Sequence, residues 1–314
     1  MKKTAELLMQ HDKIALIAHI APDGDAVGAT AALYYALKGV GKQVSLFCDD
    51  AVPALYEIII DPKLYSAKLP QQAFEVAVAV DCADIKRVGR CYSIMEQAQV
   101  TLNIDHHFSN PGFAQHNVIR DQASSTSEVV VELLETMGIA LTQQTACCLY
   151  AGIAYDTGNF SYSNTSSQAL LTASALVAQG VDVSAIVDQL FRSRTTANFL
   201  LTGRAIQRTV FDGGLAHTYI TLNDLKELDA KPSDCDNIVE LLRDVKCVEV
   251  ALFLRETAEE KYKASLRAKS YADVSRVAQQ FGGGGHIRAA GCMLLGSLEE
   301  TTATMVDALR AELK

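Results

Sequence analysis

The chain has 314 residues, of which 49% are hydrophobic and 21% are charged, and this composition excludes a disordered or fibrous protein. Asp and Glu outnumber Lys and Arg by 37 to 28, and the resulting net charge of −9 argues against binding of duplex nucleic acid, which needs a basic surface. A short nucleotide remains a suitable ligand where metal ions supply positive charge.

The sequence also predicts a cellular location. No run approaches the ~18 consecutive apolar residues of a membrane span. The eight cysteines lack the C-x-x-C spacing of redox and metal sites and lie mostly in apolar surroundings. We therefore expect a cytoplasmic protein with reduced thiols and no membrane segment.

Short apolar runs alternate with helix-like stretches in the first part of the chain. The runs are rich in Val, Ile and Ala, as in parallel strands that are buried on both faces, and they lie at Ile14–Ala18, Val44–Phe47, Phe74–Val80 and Val100–Ile104. This alternation predicts an α/β fold whose mainly parallel, doubly wound sheet is covered by helices on both faces.

The pattern changes in the second part of the chain. Residues 166–208 are predicted to be helical, and longer alternating strands follow at His217–Thr221, Val248–Arg255 and Tyr262–Arg267. The glycine run in Phe281–His286 predicts a loop, because no strand or helix interior tolerates it. We expect a first domain at 1–185, a helical linker at 186–212 and a smaller α/β domain at 213–314.

Metal-binding side chains follow three of the four predicted strands. His19 follows the first run, Asp81 follows the third, and Asp105-His106-His107 follows the fourth. Because the carboxyl ends of parallel strands border the ligand crevice of an open α/β sheet, we expect these side chains to converge.

Two further segments add carboxylates. Asp23 and Asp25 lie in a tight Pro/Gly loop after His19, and Asp156 ends the helical stretch Thr145–Tyr155. Together with Asp81 they carry four negative charges, which two divalent ions would neutralise. Mixed carboxylate and imidazole ligands favour Mn²⁺, with Co²⁺, Fe²⁺ or Mg²⁺ as substitutes.

Some of these residues have simpler explanations. Asp105 could cap a helix and be followed by two surface histidines, although such a triplet is expected only about 0.01 times at the chain's own Asp and His frequencies. The segment Ser124–Glu128 is best explained as a helix N-terminus, with phosphate binding by its N–H groups as an open alternative.

Five segments in this order resemble the DHH phosphoesterases, and the resemblance spans nearly the whole chain. The segments are His19–Asp25, Asp81, Asp105–Asn110, Gly152–Phe160 and Gly283–Gly291. Within the family, the chain is similar to small proteins with a DHH and a DHHA1 domain that act as oligoribonucleases (nano-RNases) and as phosphatases of 3′-phosphoadenosine 5′-phosphate (pAp).

The resemblance implies two metal sites that share Asp81. One Mn²⁺ would be held by His19, Asp23 and Asp81, and the other by Asp25, Asp81, His106 and Asp156. His107 would face the substrate phosphate, and Asp105 would orient the imidazoles by hydrogen bonding. The catalytic residues implied are therefore Asp81, Asp105 and His107.

The resemblance also places the active site in a cleft between the two domains, where the DHHA1 domain selects the substrate. The residues expected to bind a terminal 5′-phosphate, besides His107, are Arg267, Gly283, Gly284, Gly285 and His286. Arg267 suits this role because a guanidinium matches phosphate with two parallel hydrogen bonds. A flexible turn and a solvated strand arginine are the alternatives for these residues.

The implied activity is hydrolysis of short single-stranded RNA. Substrates would be 5′-phosphorylated oligoribonucleotides from dinucleotides to pentanucleotides, including pApA and pGpG, which yield 5′-mononucleotides, and pAp, which yields AMP and phosphate. A cyclic-dinucleotide phosphodiesterase, an inorganic pyrophosphatase or polyphosphatase, and a nucleotide-binding regulator remain alternatives. A homodimer is suggested by the resemblance alone.

Overall fold

The computed structural model describes residues 1–313 and divides between Ser193 and Arg194 into two compact units. This division falls inside the predicted linker. No helix within the described residues is long and apolar enough to cross a membrane.

The first unit is built around a six-stranded sheet in which all neighbouring strands are parallel. Its strands are β1 Lys13–Ala18, β2 Gln43–Phe47, β3 Tyr65–Ser66, β4 Val76–Val80, β5 Val100–Asp105 and β6 His116–Ile119. Its helices are α1 Lys2–Gln10, α2 Gly24–Gly39, α3 Tyr92–Gln97, α4 Thr126–Thr136, α5 Gln143–Asp156, α6 Ser167–Val177 and α7 Val183–Phe191.

Both faces of this sheet are buried. Successive side chains of a strand point to opposite faces, so Leu16 of β1 packs in the core formed with α2 and α5. Its neighbour Ile17 packs in a second core with Ile94 and Met95 of α3. The predicted doubly wound α/β sheet is thus confirmed, and its buried strands explain the continuous apolar runs.

The strand order β3-β2-β1-β4-β5-β6 has its switch point between β1 and β4. At that point the connections leave the sheet in opposite directions and open a crevice at the carboxyl ends of the strands. His19 directly follows β1 and Asp81 directly follows β4. The topology therefore places both residues at the edge of this crevice.

Helices α2 and α5 approach closely because glycine lies at their contact. A Cβ on Gly28 of α2 would come 2.6 Å from the carbonyl oxygen of Cys148, and a Cβ on Gly152 of α5 would come 2.8 Å from a carboxylate oxygen of Asp25. This packing brings Asp25, in the first turn of α2, next to the last turns of α5, where Asp156 is the final residue.

The second unit contains another six-stranded sheet, with the order β11-β12-β10-β9-β8-β7. Its strands are β7 Val210–Asp212, β8 Leu215–Ile220, β9 Val250–Ala258, β10 Lys261–Ala268, β11 Gly284–His286 and β12 Ala289–Leu295. Neighbouring strands are antiparallel, except that β8 and β9 are parallel. Its helices are α8 Thr196–Gln207, α9 Leu222–Glu227, α10 Ile238–Arg243, α11 Val274–Gln280 and α12 Leu298–Arg310.

One local prediction was wrong. Gly284–His286 was expected to lie in a loop, but it forms the edge strand β11, paired with β12. A Cβ on Gly283 would come 2.2 Å from the carbonyl oxygen of Gly291, and a Cβ on Gly285 would come 2.4 Å from that of Ala289. Glycine is needed at these two positions because the neighbouring strand lies so close.

Candidate metal centre and active site

The predicted ligands come together at the carboxyl edge of the first sheet. Three overlapping groups have ligand atoms that all lie within 4.8 Å of one another, and such groups could hold a metal ion. They are His19, Asp23 and Asp81; Asp25, His106 and Asp156; and Asp81, His106 and His107. Every residue predicted to bind metal belongs to at least one group.

The two carboxylate oxygens of Asp81 face different partners. Its Oδ2 lies 3.5 Å from Nε2 of His19, and its Oδ1 lies 3.8 Å from Nε2 of His106. On the outer sides, Asp23 Oδ2 is 3.6 Å from His19 and Asp156 Oδ2 is 3.3 Å from His106. This arrangement suits a carboxylate that bridges two ions.

The backbone of Asp81 has an uncommon conformation. Its φ of 59° lies in the left-handed region, which costs a residue with a Cβ roughly 1–3 kcal/mol. The Asp81 amide donates to the carbonyl oxygen of Ile104 at the end of β5, at 2.9 Å. The sheet thus holds this carboxylate in a strained position between the two groups of ligands.

The N-terminus of α4 holds two of the carboxylates. The amides of Thr126 and Ser127 donate to the two oxygens of Asp25, at 2.6 and 2.9 Å, and the Thr126 hydroxyl donates to Oδ1 of Asp81 at 2.7 Å. A helix N-terminus favours negative charge. These two N–H groups are therefore engaged by Asp25, and the alternative that they bind phosphate was wrong.

A hydrogen-bonded chain orients His107. Its Nδ1 lies 2.8 Å from Oδ1 of Asp105, a carboxylate that is fully buried. The other oxygen of Asp105 accepts a hydrogen bond from Asn110 Nδ2 at 2.6 Å. Asp105 thus lies between the His107 imidazole and the Asn110 side chain, where it can orient His107.

Arg87 is a cation at the centre that the sequence analysis missed. Its Nη2 lies 2.8 Å from Nδ1 of His19, and that nitrogen is also 2.8 Å from the carbonyl oxygen of Ile20. Nδ1 can donate to Ile20 or accept from Arg87, but not both at once. When it donates to the carbonyl, as metal-binding histidines commonly do, Nε2 is left for a metal. Arg87 lies in a short 3-10 helix after Asp81, and no local sequence pattern marks it.

The crowded carboxylates oppose one another's ionisation. Burial and the charge of Asp81 raise the pKa of Asp25 to about 7. Burial and the charge of Asp25 raise the pKa of Asp156 to about 8. Ionisation of all these carboxyl groups at their usual pKa values would therefore leave an excess of negative charge at this site.

The imidazoles respond in the opposite direction. Burial lowers the pKa of His19, but its close contacts with the carboxylates of Asp23 and Asp81 outweigh this and raise the pKa to about 10. Burial likewise opposes protonation of His106, whereas the charges of Asp25, Asp81 and Asp156 raise its pKa to about 9. Oxygen and imidazole donors that attract positive charge so strongly fit divalent cations.

The substrate residues predicted in the second unit lie on its sheet. The register aligns His286 of β11, Ala289 of β12 and Arg267 of β10 in one row, so the first and last share a face. Arg267 donates to Oε1 of Glu240 at 2.9 Å and to its own strand at Leu266. A Cβ on Gly284 would meet nothing within 4 Å, so this position is open to a ligand.

Comparison with known proteins identifies the two units. Residues 13–153 match the model for the DHH family, N-terminal domain, and residues 212–314 match the model for the DHHA1 domain. Both matches agree with the resemblance inferred from the motifs.

Relatives extend the match over the full chain. The chain is 34% identical to the bifunctional oligoribonuclease and PAP phosphatase NrnA of Thermus thermophilus, across 100% of this chain and 94% of that protein. It is 29% identical to the protein of the same name from Mycoplasma pneumoniae, covering 91% and 89%. A crystal structure of an exopolyphosphatase-related protein from Bacteroides fragilis superposes with a TM-score of 0.92, at 26% identity over 98% of this chain and 95% of that one. The chain therefore belongs to the DHH family, as a member that also carries a DHHA1 domain.

Proposed function

We propose that this protein is a metal-dependent phosphoesterase of very short RNA and of pAp. Its substrates would be 5′-phosphorylated oligoribonucleotides of two to five residues, which it converts to 5′-mononucleotides, and pAp, which it converts to AMP and phosphate. The observation that carries the proposal is the set of three overlapping ligand groups, two of which contain Asp81. Full-length similarity to enzymes named for these two activities supports the choice of substrates.

We assign two Mn²⁺ ions to the centre, with Co²⁺, Fe²⁺ or Mg²⁺ as substitutes. His19, Asp23 and Asp81 would hold one ion, and Asp25, Asp81, His106 and Asp156 the other. When bound, the ions supply positive charge to the phosphate oxygens and lower the pKa of the attacking water. The four carboxylates of this set match the charge of two divalent ions.

The remaining residues of the centre position these groups and the substrate. Thr126 fixes one oxygen of Asp81, and the α4 amides fix both oxygens of Asp25. His107, oriented by Asp105, is assigned to contact with the substrate phosphate. Asp105 and Asn110 hold this imidazole in place before substrate binds. Little conformational entropy is therefore lost in orienting it during the reaction.

We assign substrate selection in the second unit to Arg267, Gly283, Gly284, Gly285 and His286. Arg267 and His286 share a face of the sheet, and Gly284 leaves the backbone exposed on the edge strand. A guanidinium on that face suits a terminal phosphate. Gly283 and Gly285 would contribute indirectly. Because they have no Cβ, the edge strand can pair closely with its neighbour, and this pairing positions the strand.

Two wider predictions belong to this proposal. The cysteines are all free, and most are buried with a pKa raised by burial, as suits a reducing compartment such as the cytoplasm. The homodimer remains a prediction from the family resemblance.

The proposal is tested by turnover of four substrates with Mn²⁺: pAp, a 5′-phosphorylated RNA dinucleotide, a long single-stranded RNA and pyrophosphate. We expect release of 5′-nucleotides from the first two, loss of activity with a chelator, and loss in Asp81→Asn. Cleavage of pyrophosphate alone would keep the metal centre but overturn the substrate assignment. Tight nucleotide binding without hydrolysis would favour a regulator, and equal cleavage of the long RNA would contradict the size limit.

A further inference from the structure

Phe108 is a large aromatic side chain with almost no protein contact. It is 88% exposed, more than the other exposed large apolar side chains in residues 1–313, of which Leu295 at 81% comes next. Leaving a phenylalanine exposed forgoes the favourable burial that other aromatic residues of this unit obtain. A ring this exposed is free to be covered by a ligand.

The turn that carries Phe108 is held firmly on both sides. The backbone N–H of Asn110 donates to the carbonyl oxygen of His107 at 3.1 Å and closes the turn. The Asn110 side chain donates to the carbonyl oxygen of Cys82 at 3.0 Å and to Asp105, and accepts from the amide of Gly112 at 2.8 Å. The aromatic ring is therefore displayed on an ordered turn, so that little backbone entropy is lost when a ligand binds.

Phe108 also lies beside the reaction centre. It directly follows His107, so its Cα is about 3.8 Å from that of the residue assigned to the substrate phosphate. The Nδ1 atom of His107 is itself 3.7 Å from Oδ1 of Asp81. A group attached to a phosphate at this centre would therefore lie close to the turn that carries the exposed ring.

We propose that Phe108 is a stacking platform for a nucleobase of the substrate, next to the scissile phosphate. The inference rests on the proposed function, because it needs a nucleotide at the metal centre. An aromatic face accepts any of the four bases, since stacking does not read their hydrogen-bonding edges. Phe108 would therefore favour nucleotides over pyrophosphate and other base-free phosphates without selecting a sequence.

The chain contains no tryptophan, so a substitution can report on stacking directly. In Phe108→Trp, we expect AMP with Mg²⁺ to quench the emission of the single tryptophan, and ribose 5-phosphate to leave it unchanged. Phe199→Trp is the matched control, because Phe199 is another exposed phenylalanine, 70% accessible, on α8 of the other unit. AMP should leave its emission unchanged.

Turnover supplies the second measurement. The kcat/KM for pAp is compared with that for ribose 3,5-bisphosphate, which has both phosphates but no base. In Phe108→Ala this ratio should fall about tenfold, within the roughly 5- to 150-fold range that stacking of one base can supply. Phe108→Tyr should retain the ratio because it keeps the ring, and Phe199→Ala should match the wild type.

The outcomes separate this inference from the proposed function. If the wild type hydrolyses pAp but Phe108→Ala keeps the ratio, the stacking platform is overturned and the proposed function stands. If AMP does not quench Phe108→Trp, the platform is likewise overturned. If the wild type hydrolyses no nucleotide, the proposed function fails, whatever the fluorescence shows. A change of oligomeric state in Phe108→Ala with an unchanged ratio would assign the ring to a protein contact and overturn the inference.

Discussion

Two buried aspartates, one in each unit, have opposite electrostatic surroundings. Asp25 is fully buried at the metal centre, and Asp224 is 2% exposed in the first turn of α9. Burial alone would raise the pKa of both carboxyl groups. It does so at Asp25, where the charge of Asp81 adds to the effect, whereas the pKa of Asp224 is lowered.

Cations within the protein account for the difference. Arg208 and Arg204 both donate to Asp224, and Thr221 donates its amide and hydroxyl, each at 2.8 Å. Asp25 instead accepts neutral backbone N–H groups and shares its surroundings with the carboxylates of Asp23, Asp81 and Asp156. A buried carboxylate that is hydrogen-bonded to its own arginines stabilises the fold, whereas several carboxylates that oppose one another's ionisation mark a site that takes cations from solution.

The largest effect we expect is the loss, in Asp156→Asn, of the stabilisation that the ion at the Asp156 site provides. A metal ion at 100 times its Kd adds about 2.7 kcal/mol to the free energy of unfolding. In chelated protein at pH 7, Asp156→Asn should change this free energy by less than about 0.5 kcal/mol, because a carboxyl with a pKa of about 8 is already mostly neutral. Denaturation with and without Mn²⁺ measures both values. If Mn²⁺ raises the free energy of unfolding of this variant as much as that of the wild type, Asp156 is not a ligand.

Asp224→Asn should show the reverse pattern. It leaves Arg204 and Arg208 facing an uncharged amide, and we expect it to lower the free energy of unfolding by about 2 kcal/mol. This value is below that of fully buried pairs because the two arginine side chains are 29% and 31% exposed. The metal-induced shift should stay as in the wild type. Loss of that shift would show that the two regions are coupled.

Thr126→Val tests whether the positioning of Asp81 matters as well as its charge. Valine keeps the shape of threonine but loses the hydroxyl that donates to Asp81. We expect metal affinity, measured by calorimetry, to fall about tenfold, as when other residues that orient a metal ligand are removed. Thr126→Ser keeps the hydroxyl and should restore most of the affinity. Equal affinity in all three proteins would make this hydrogen bond irrelevant to metal binding.

The sequence predicted that these side chains would cluster because several of them follow a recognisable strand. Continuous apolar runs mark β1, β4 and β5. Parallel strands have their carboxyl ends at the same edge of the sheet, whatever conformation the connecting loops adopt. His19 and Asp81 could therefore be placed without knowing any contact.

Other parts of the structure depend on contacts between distant residues. Asp25 and Thr126 are separated by 101 residues, and only their packing shows that an α4 amide holds this carboxylate. Pairing with β12 converts Gly284–His286 from an expected loop to a strand, which its glycine composition alone disfavours. The left-handed φ of Asp81 likewise has no local sequence signal and accompanies the hydrogen bond of its amide to Ile104 on the neighbouring strand.

The smallest effect that we expect is a loss of folding stability in acid, caused by protonation of Asp224. Burial opposes its ionisation, but Arg208, Thr221 and Arg204 outweigh burial and lower its pKa. The folded state thus binds this proton less readily than the unfolded state, whose Asp pKa is about 3.9. The stabilisation from Asp224 is complete above that value and is lost as the pH falls through the lower pKa of the folded protein.

We expect this acid loss to be about 1 kcal/mol, since solvent screens the partly exposed arginines. It is measured as the difference in free energy of unfolding between wild type and Asp224→Asn, followed by urea denaturation from pH 6 downward. The two curves should approach each other by this amount as the carboxyl of the wild type becomes protonated. Parallel curves would show that the stabilisation from Asp224 does not depend on its charge, and the contrast with Asp25 would then rest on hydrogen bonding alone.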